Sequence, residues 1–137
     1  MNPLEEGQGL TLDFTKLQKI AALDLEVVPV AVQDIDTGEV LVIAFVNEQA
    51  LKRALETRTA VFWSTSRNEL WEKGKTSGDT FELVEVRVNC EQNSLLFLVR
   101  PRGGGMCHTR GPDGRTRRSC FYRRLTSDGS RLEFVEP

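Results

Sequence analysis

Apolar positions along the chain recur in two rhythms, one typical of helices and one typical of strands. Residues 1–11 have neither rhythm and are expected to fray. Asp13 then suits the cap of a short amphipathic helix whose apolar face is formed by Phe14, Leu17 and Ile20/Ala21. A second helix is predicted from its cap Asn47 to about Thr57, because its apolar residues also share one face. Those residues are Ala50, Leu51, Ala54 and Leu55.

Strand-like apolar runs account for much of the remaining chain. The predicted strands are residues 27–32, 40–46, 60–63, 81–89, 95–99, 121–125 and 132–135. Pro29 cannot donate to a β-ladder, so the first run is expected to be an edge strand or a strand start. A turn at 34–38 predicts a hairpin, and the continuous apolar run 95–99 is expected to be buried on both faces. Five to seven strands with two short helices predict an α+β fold built mainly from antiparallel β-sheets.

The composition is typical of a single globular domain. Of the 137 residues, 39% are hydrophobic and 28% are charged, which favours a folded core over disorder. No apolar run approaches the roughly 20 residues of a membrane span, and the formal charge of −2 gives no general case for nucleic acid. The first residues lack an apolar signal-peptide core, so a cytoplasmic, reducing location is expected.

We divide the chain into an N-terminal segment (1–26), a main domain (27–125) and a C-terminal strand with a tail (126–137).

All three cysteines and the only histidine lie within residues 84–122. Because no Cys-x-x-Cys pair occurs, tertiary or quaternary structure must bring these ligand types together, and they favour zinc. An odd number of cysteines argues against a disulfide framework. The alternative for Cys90 is a small buried hydrophobe, which suits Cys107 and Cys120 poorly among their glycine, arginine and polar neighbours. Three thiolates would leave a fourth zinc position open for water, whereas His108 could instead close a Cys3His site.

Two further segments are candidates for binding an anionic ligand. The polar stretch 64–78 is too long and too rich in hydroxyls and cations for a plain connector. A cluster of arginines around the cysteines suits a phosphate-bearing ligand, because arginine binds phosphate through two N–H groups. A solvated loop is the alternative for such a cluster. Its members are Arg100, Arg102, Arg110, Arg115, Arg117, Arg118, Arg123 and Arg124.

Several short motifs occur in the order found in one enzyme family. They are NEQAL (47–51), FWSTSR (62–67), ELWEKG (69–74), TSG (76–78), CHT (107–109) and RSCFY (118–122). Together they resemble phosphoribosyl-AMP cyclohydrolase of histidine biosynthesis, over roughly residues 27–124. The resemblance implies a cyclohydrolase-like domain at 27–125, an intertwined homodimer and active sites at the subunit interface. It also implies zinc bound by Cys90, Cys107 and Cys120 drawn from both chains, and hydrolytic opening of the adenine ring at the N1–C6 bond.

The chemistry of that reaction assigns roles to the other candidate residues. Adenine C6 is a poor electrophile at neutral pH, so the nucleophile must be a hydroxide, and zinc can lower the pKa of a water molecule toward ~7. Three thiolates weaken that effect, which makes His108 the candidate general base. The candidate substrate-binding residues are Trp63, Ser64, Ser66, Arg67, Lys73, Thr76, Ser77 and Arg118. Helix capping and loop packing are alternative roles for the polar ones, and Trp63 and Trp71 also suit a core or an interface.

The sequence departs from the family at an Asp-Cys-Asp-x-Asp motif, whose three aspartates bind magnesium. Asn89, Glu91 and Asn93 occupy those positions, so the formal charge there falls from −3 to −1 and the magnesium site is degenerate. The loop from Cys107 to Cys120 also looks longer than is usual in the family, with residues 111–116 as an apparent insertion, and its arginines could neutralise phosphate instead.

Three functions therefore remain open: the cyclohydrolase itself, a paralogous zinc hydrolase acting on another purine-like ring, and a non-catalytic zinc-stabilised dimer that binds nucleotides. The expected partners are a small nucleotide and a second copy of the chain. Neither nucleic acid nor a membrane is expected.

Overall fold

The computed structural model describes residues 2–135 and has the α+β architecture that the pattern predicts. The helices are α1 Pro3–Glu6, α2 Lys16–Ala22 and α3 Glu48–Thr57. The strands are β1 Val28–Asp34, β2 Val40–Val46, β3 Val61–Ser64, β4 Glu69–Glu72, β5 Phe81–Val88, β6 Leu95–Pro101, β7 Arg123–Leu125 and β8 Leu132–Phe134. The mainly antiparallel pairing is confirmed. The expected helix count of two is wrong, because the N-terminal residues form a third, one-turn helix.

Two antiparallel hairpins, β1–β2 and β5–β6, join side by side to make the main sheet in the order β2-β1-β6-β5. Their junction is parallel, with Val30 opposite Leu95 and Asp34 opposite Val99. β1 is therefore an interior strand, and the edge position expected from Pro29 is wrong. Pro29 is the second residue of β1 and precedes the first parallel pair. The alternative expectation, a strand start, is the one confirmed.

The core lies on the face of this sheet that α3 and the β3–β4 hairpin cover. Phe62 of β3 packs on Phe97 of β6, with ring centroids 5.9 Å apart, and on Trp71 of β4 at 5.4 Å. Ala50 and Ala54 of α3 are fully buried, and their small side chains let the helix lie close to the sheet. β4 lies within the polar stretch 64–78 and has apolar residues of its own. Because β4 pairs with β3, part of that stretch is ordered.

Of the two helices predicted from the sequence, only α3 has the predicted residue as its cap. The Asn47 side chain accepts a hydrogen bond from the Ala50 N–H at 2.8 Å, which confirms it as the cap of α3. Asp13 does not cap α2: its carboxylate accepts from the Thr15 N–H, and Thr15 takes the cap position. Of the apolar face predicted there, Ile20 is buried, whereas Phe14 and Leu17 are 89% and 69% exposed.

The N-terminal residues are bound to the closing hairpin β7–β8 and its approach. The Tyr122 hydroxyl donates to the Glu5 carbonyl at 2.6 Å, and the Arg123 guanidinium donates to the Leu4 and Gly7 carbonyls at 2.8 Å. The Leu132 N–H donates to the Gln8 carbonyl at 2.9 Å. The expectation that this segment frays is therefore wrong over residues 3–8, and Met1 lies outside the described residues. Among residues 2–135, the helices are too short and too polar for any of them to cross a bilayer.

Candidate metal and substrate site

One cavity of about 320 Å³ joins the cation-rich loop after β4 to the segment that carries two of the cysteines. It contains seven of the residues selected from the sequence: Arg67, Lys73, Thr76, Ser77, Cys107, His108 and Cys120. Trp71, Glu72, Gly74, Lys75 and Met106 complete its lining. Residues 67–77 and 106–120, which are well separated in sequence, thus meet at one place, and that place combines thiols, an imidazole and cations.

A close pairing of two irregular segments brings the cysteines to this cavity. The Met106 and Cys107 N–H groups donate to the Arg118 and Arg117 carbonyls at 3.0 and 3.1 Å. A Cβ at Gly105 would lie 2.1 Å from the Arg117 carbonyl oxygen, so only glycine permits this approach. The Cys120 N–H donates to the Leu41 carbonyl at 2.8 Å, which fixes that cysteine to the edge of β2.

The thiols of Cys107 and Cys120 shift each other's pKa in opposite directions. A hydrogen bond from the Cys120 thiol, with a second from the Thr109 hydroxyl at 3.0 Å, lowers the pKa of Cys107 to about 5 despite its burial. Donating that hydrogen bond to the Cys107 thiolate raises the pKa of Cys120. A thiolate beside a thiol is a pair of soft donors on which a metal cation can replace the thiol proton.

Lys73 is the most deeply placed cation of the cavity. Its side chain is buried, with the ammonium 5.7 Å from the centre of the Phe81 ring. Burial lowers the pKa of Lys73, while Asp79 and the two cysteines oppose that shift. Arg67 is more exposed and lies 3.5 Å from the Glu69 carboxylate. A buried lysine with an exposed arginine and two hydroxyl residues beside it can bind an anion such as a phosphate.

His108 reaches the cavity from its outer rim. Its side chain is 80% exposed, and its Nε2 contacts the carboxylate of Glu5 from α1. Sequence reasoning did not find Glu5, because nothing in the N-terminal pattern predicted that this segment would fold against the site.

Cys90 does not lie in this cavity. It is exposed in the turn after β5, at the far end of that strand from Phe81. Eight residues of extended chain span roughly 25 Å, so Cys90 cannot meet Cys107 and Cys120 of the same chain. Accordingly, no group of three His, Cys, Asp or Glu side chains suited to a metal occurs within the described residues of one chain.

The residues predicted for magnesium surround Cys90 and bond to one another. The Asn89 amide nitrogen donates to the Asn93 side-chain oxygen at 2.6 Å, and the Asn93 amide nitrogen donates to the Glu91 carboxylate at 3.3 Å. The Asn89 side-chain oxygen accepts from the backbone N–H groups of Asn93 and Ser94, both at 2.9 Å. The three side chains are therefore held together by hydrogen bonds among themselves and with the backbone of the turn.

Trp63, Ser64 and Ser66 line a neighbouring cavity of about 190 Å³ rather than the one with the thiols. Ser64 still affects the first cavity, because its hydroxyl accepts from the Arg67 backbone N–H and Nε, both at 3.3 Å. Trp63 is half-buried against the core, and its Nε1 donates to Asn68 at 3.3 Å.

The arginines of the cysteine segment have separate partners. Arg118 bonds Glu39 at 2.8 Å and lines a groove of about 600 Å³ along the insertion. Arg117 is almost buried, with its guanidinium 4.3 Å from the centre of the Tyr122 ring and 3.3 Å from Glu6. Its burial between aromatic rings and an acid makes Arg117 a structural residue rather than part of an open anion site.

Comparisons with known proteins agree on one family. A family model described as phosphoribosyl-AMP cyclohydrolase matches residues 42–122. Proteins of that name from Hyphomonas neptunium and an Azoarcus species are 48% and 44% identical to the chain. These matches cover 75% and 80% of the chain and 72% and 79% of the relatives. The protein of that name from Caulobacter vibrioides is 53% identical over 68% of the chain and 63% of its own length.

Proposed function

Because the chain belongs to the phosphoribosyl-AMP cyclohydrolase family, we propose that it opens the adenine ring of phosphoribosyl-AMP by hydrolysis at the N1–C6 bond. One observation carries this proposal. Within the residues matched to the family, a single cavity combines two thiols and an imidazole with a group of cations and hydroxyls. Those are the groups needed to bind a metal, to accept a proton and to bind phosphates.

We propose zinc as the metal and a second copy of the chain as the source of its third ligand. The pairing of Cys107 with Cys120 supports a soft cation, and the distance of Cys90 from them supports a ligand from the partner. In a two-fold dimer, each exposed Cys90 can complete the site of the other chain. Exposed apolar side chains such as Phe14 and Ile43 offer surface that a second copy could cover. A reducing, cytosolic location would keep all three thiols available.

Different residues of the cavity have different roles in the proposed reaction. Lys73 and Arg67 bind the phosphates of the substrate, with the hydroxyls of Thr76 and Ser77 as further donors. A bound zinc ion lowers the pKa of a water molecule toward ~7. His108 accepts one proton of the attacking water, whose oxygen adds to C6. The C6–N1 bond then breaks as the oxygen becomes a carbonyl, and the second water proton passes from that oxygen to the exocyclic nitrogen, which becomes the carboxamide nitrogen. His108 then returns the proton to the departing nitrogen, so one water molecule is consumed in each turnover.

The proposed function is tested by supplying the zinc-loaded protein with phosphoribosyl-AMP and following loss of the intact adenine ring by absorbance. We expect turnover, and we expect the gene to rescue a histidine auxotroph that lacks the cyclohydrolase. A zinc-loaded protein that stays inert with saturating magnesium would instead favour the paralogous hydrolase of another purine-like ring. Nucleotide binding without any ring opening would favour the non-catalytic dimer.

We predict that turnover responds only weakly to added magnesium. Asn89, Glu91 and Asn93 already satisfy one another, and a single carboxylate attracts a hard cation poorly. The double variant Asn89→Asp, Asn93→Asp should become magnesium-dependent, because three carboxylates create a hard-cation site. When that site is empty, the two added negative charges should repel the phosphates of the substrate. The measurement is a magnesium titration of initial rate for both proteins. Strong activation of the unmodified protein would show that one carboxylate and two amide oxygens suffice.

A further inference from the structure

Helix α1 carries a carboxylate to the candidate general base. Glu5 contacts Nε2 of His108, although 103 positions separate the two residues in sequence. Glu5 lies outside the residues matched by the family model. Its carboxylate is only 29% exposed, whereas the imidazole is 80% exposed. The surrounding protein therefore restrains the Glu5 carboxylate more than it restrains the imidazole ring of His108.

Glu5 is fixed in place from several directions. Its carbonyl accepts from the Tyr122 hydroxyl, and its other carboxylate oxygen accepts from the Asn2 amide nitrogen at 3.0 Å. The residues on either side are also held, because Arg123 donates to the Leu4 carbonyl and Arg117 bonds the Glu6 carboxylate. A one-turn helix has little stability of its own, so these contacts are what hold α1 beside the imidazole.

An ionised carboxylate can only accept hydrogen bonds, so the ring nitrogen that contacts Glu5 must carry a proton. In a neutral imidazole the other nitrogen, Nδ1, then has a free lone pair. We infer that Glu5 is a positioning residue for His108, which selects the Nε2–H tautomer and so makes Nδ1 the atom that accepts the proton of water. This inference rests on the proposed function only in the chemical role that it gives to Nδ1.

The test compares Glu5→Gln with its neighbour Glu6→Gln in the zinc-loaded, full-length protein without a histidine tag. Glutamine keeps the shape of glutamate, but its amide can accept or donate and so selects neither tautomer. His108 is the only histidine, so the ring-nitrogen NMR spectrum of histidine-labelled protein reports this residue alone. We expect the wild type to show the Nε2–H tautomer and Glu5→Gln to show a mixture. We also expect kcat to fall roughly 10- to 100-fold with KM little changed, as when an orienting partner is lost.

Glu6→Gln is the matched control, because it changes the same helix and removes the carboxylate charge that pairs with Arg117, without touching His108. It should keep the wild-type tautomer and kcat. Equal losses in both variants would overturn the inference, since docking of α1 and not the Glu5 carboxylate would then matter. An unchanged tautomer and kcat in Glu5→Gln would overturn it as well. A wild-type protein that opens no adenine ring would refute the proposed function instead. Even then, a mixture of His108 tautomers in the wild type would refute the inference that Glu5 selects one of them.

Discussion

Mixing Cys90→Ala protein with Cys107→Ala protein should restore activity that neither protein has alone. Each variant lacks one zinc ligand in every site of its own dimer, so each should lose zinc and turnover. A mixed dimer is different, because one of its two sites receives Cys90 from the Cys107→Ala chain and Cys107 with Cys120 from the Cys90→Ala chain. Random pairing makes half of the dimers mixed and repairs one of their two sites, so about a quarter of the wild-type activity should return.

The structure provides the control for this experiment. Cys107 and Cys120 line one cavity of one chain, so mixing Cys107→Ala with Cys120→Ala leaves every site defective and should restore nothing. Subunits can be exchanged by co-expression, and zinc content and initial rate measured on each mixture. Restoration in the control mixture, or none in the first mixture, would contradict a site shared between subunits. Stoichiometric zinc retained by all three single variants would contradict the thiolate ligands themselves.

The parts of the fold that the sequence predicts well are those set by neighbouring residues. The β1–β2 hairpin follows from its turn, and α3 from the Asn47 cap and the small residues on one face. The interior position of β1 could not be predicted, because it depends on pairing with β6 more than sixty residues later. The same holds for α1, whose place is set by Tyr122 and Arg123 and not by any pattern within the N-terminal segment.

The candidate site shows a similar limit. The sequence identifies Cys107, His108 and Lys73 by residue type and motif, and the fold then brings them to one cavity. It cannot say that Cys90 lies apart from them, because the direction of β5 relative to the cysteine segment is a property of the whole sheet. The resemblance to a family did indicate that the cysteines come from two chains, and the separation found within one chain supports that arrangement.

The imidazole of His108 provides the second large expected effect. His108→Ala should keep its zinc and its fold but lose at least roughly 100-fold in kcat, the usual contribution of a general acid or base. The fold should survive because the side chain is 80% exposed and its side-chain hydrogen bond is to Glu5. Zinc should survive because the three thiolates are untouched. Thermal unfolding, zinc content and initial rate measured on the same preparation separate these effects.

Adding free imidazole to the assay tests directly whether the missing ring of His108 accounts for the loss of activity. An exposed ring leaves a space that solvent can reach when it is removed, so free imidazole should restore part of the activity of His108→Ala. The wild type assayed with the same imidazole corrects for any binding to the metal. Near wild-type activity in His108→Ala would make the residue a bystander of the site. Loss of zinc from His108→Ala would show that the imidazole is the fourth ligand, because a closed Cys3His site loses its metal with any one of its donors.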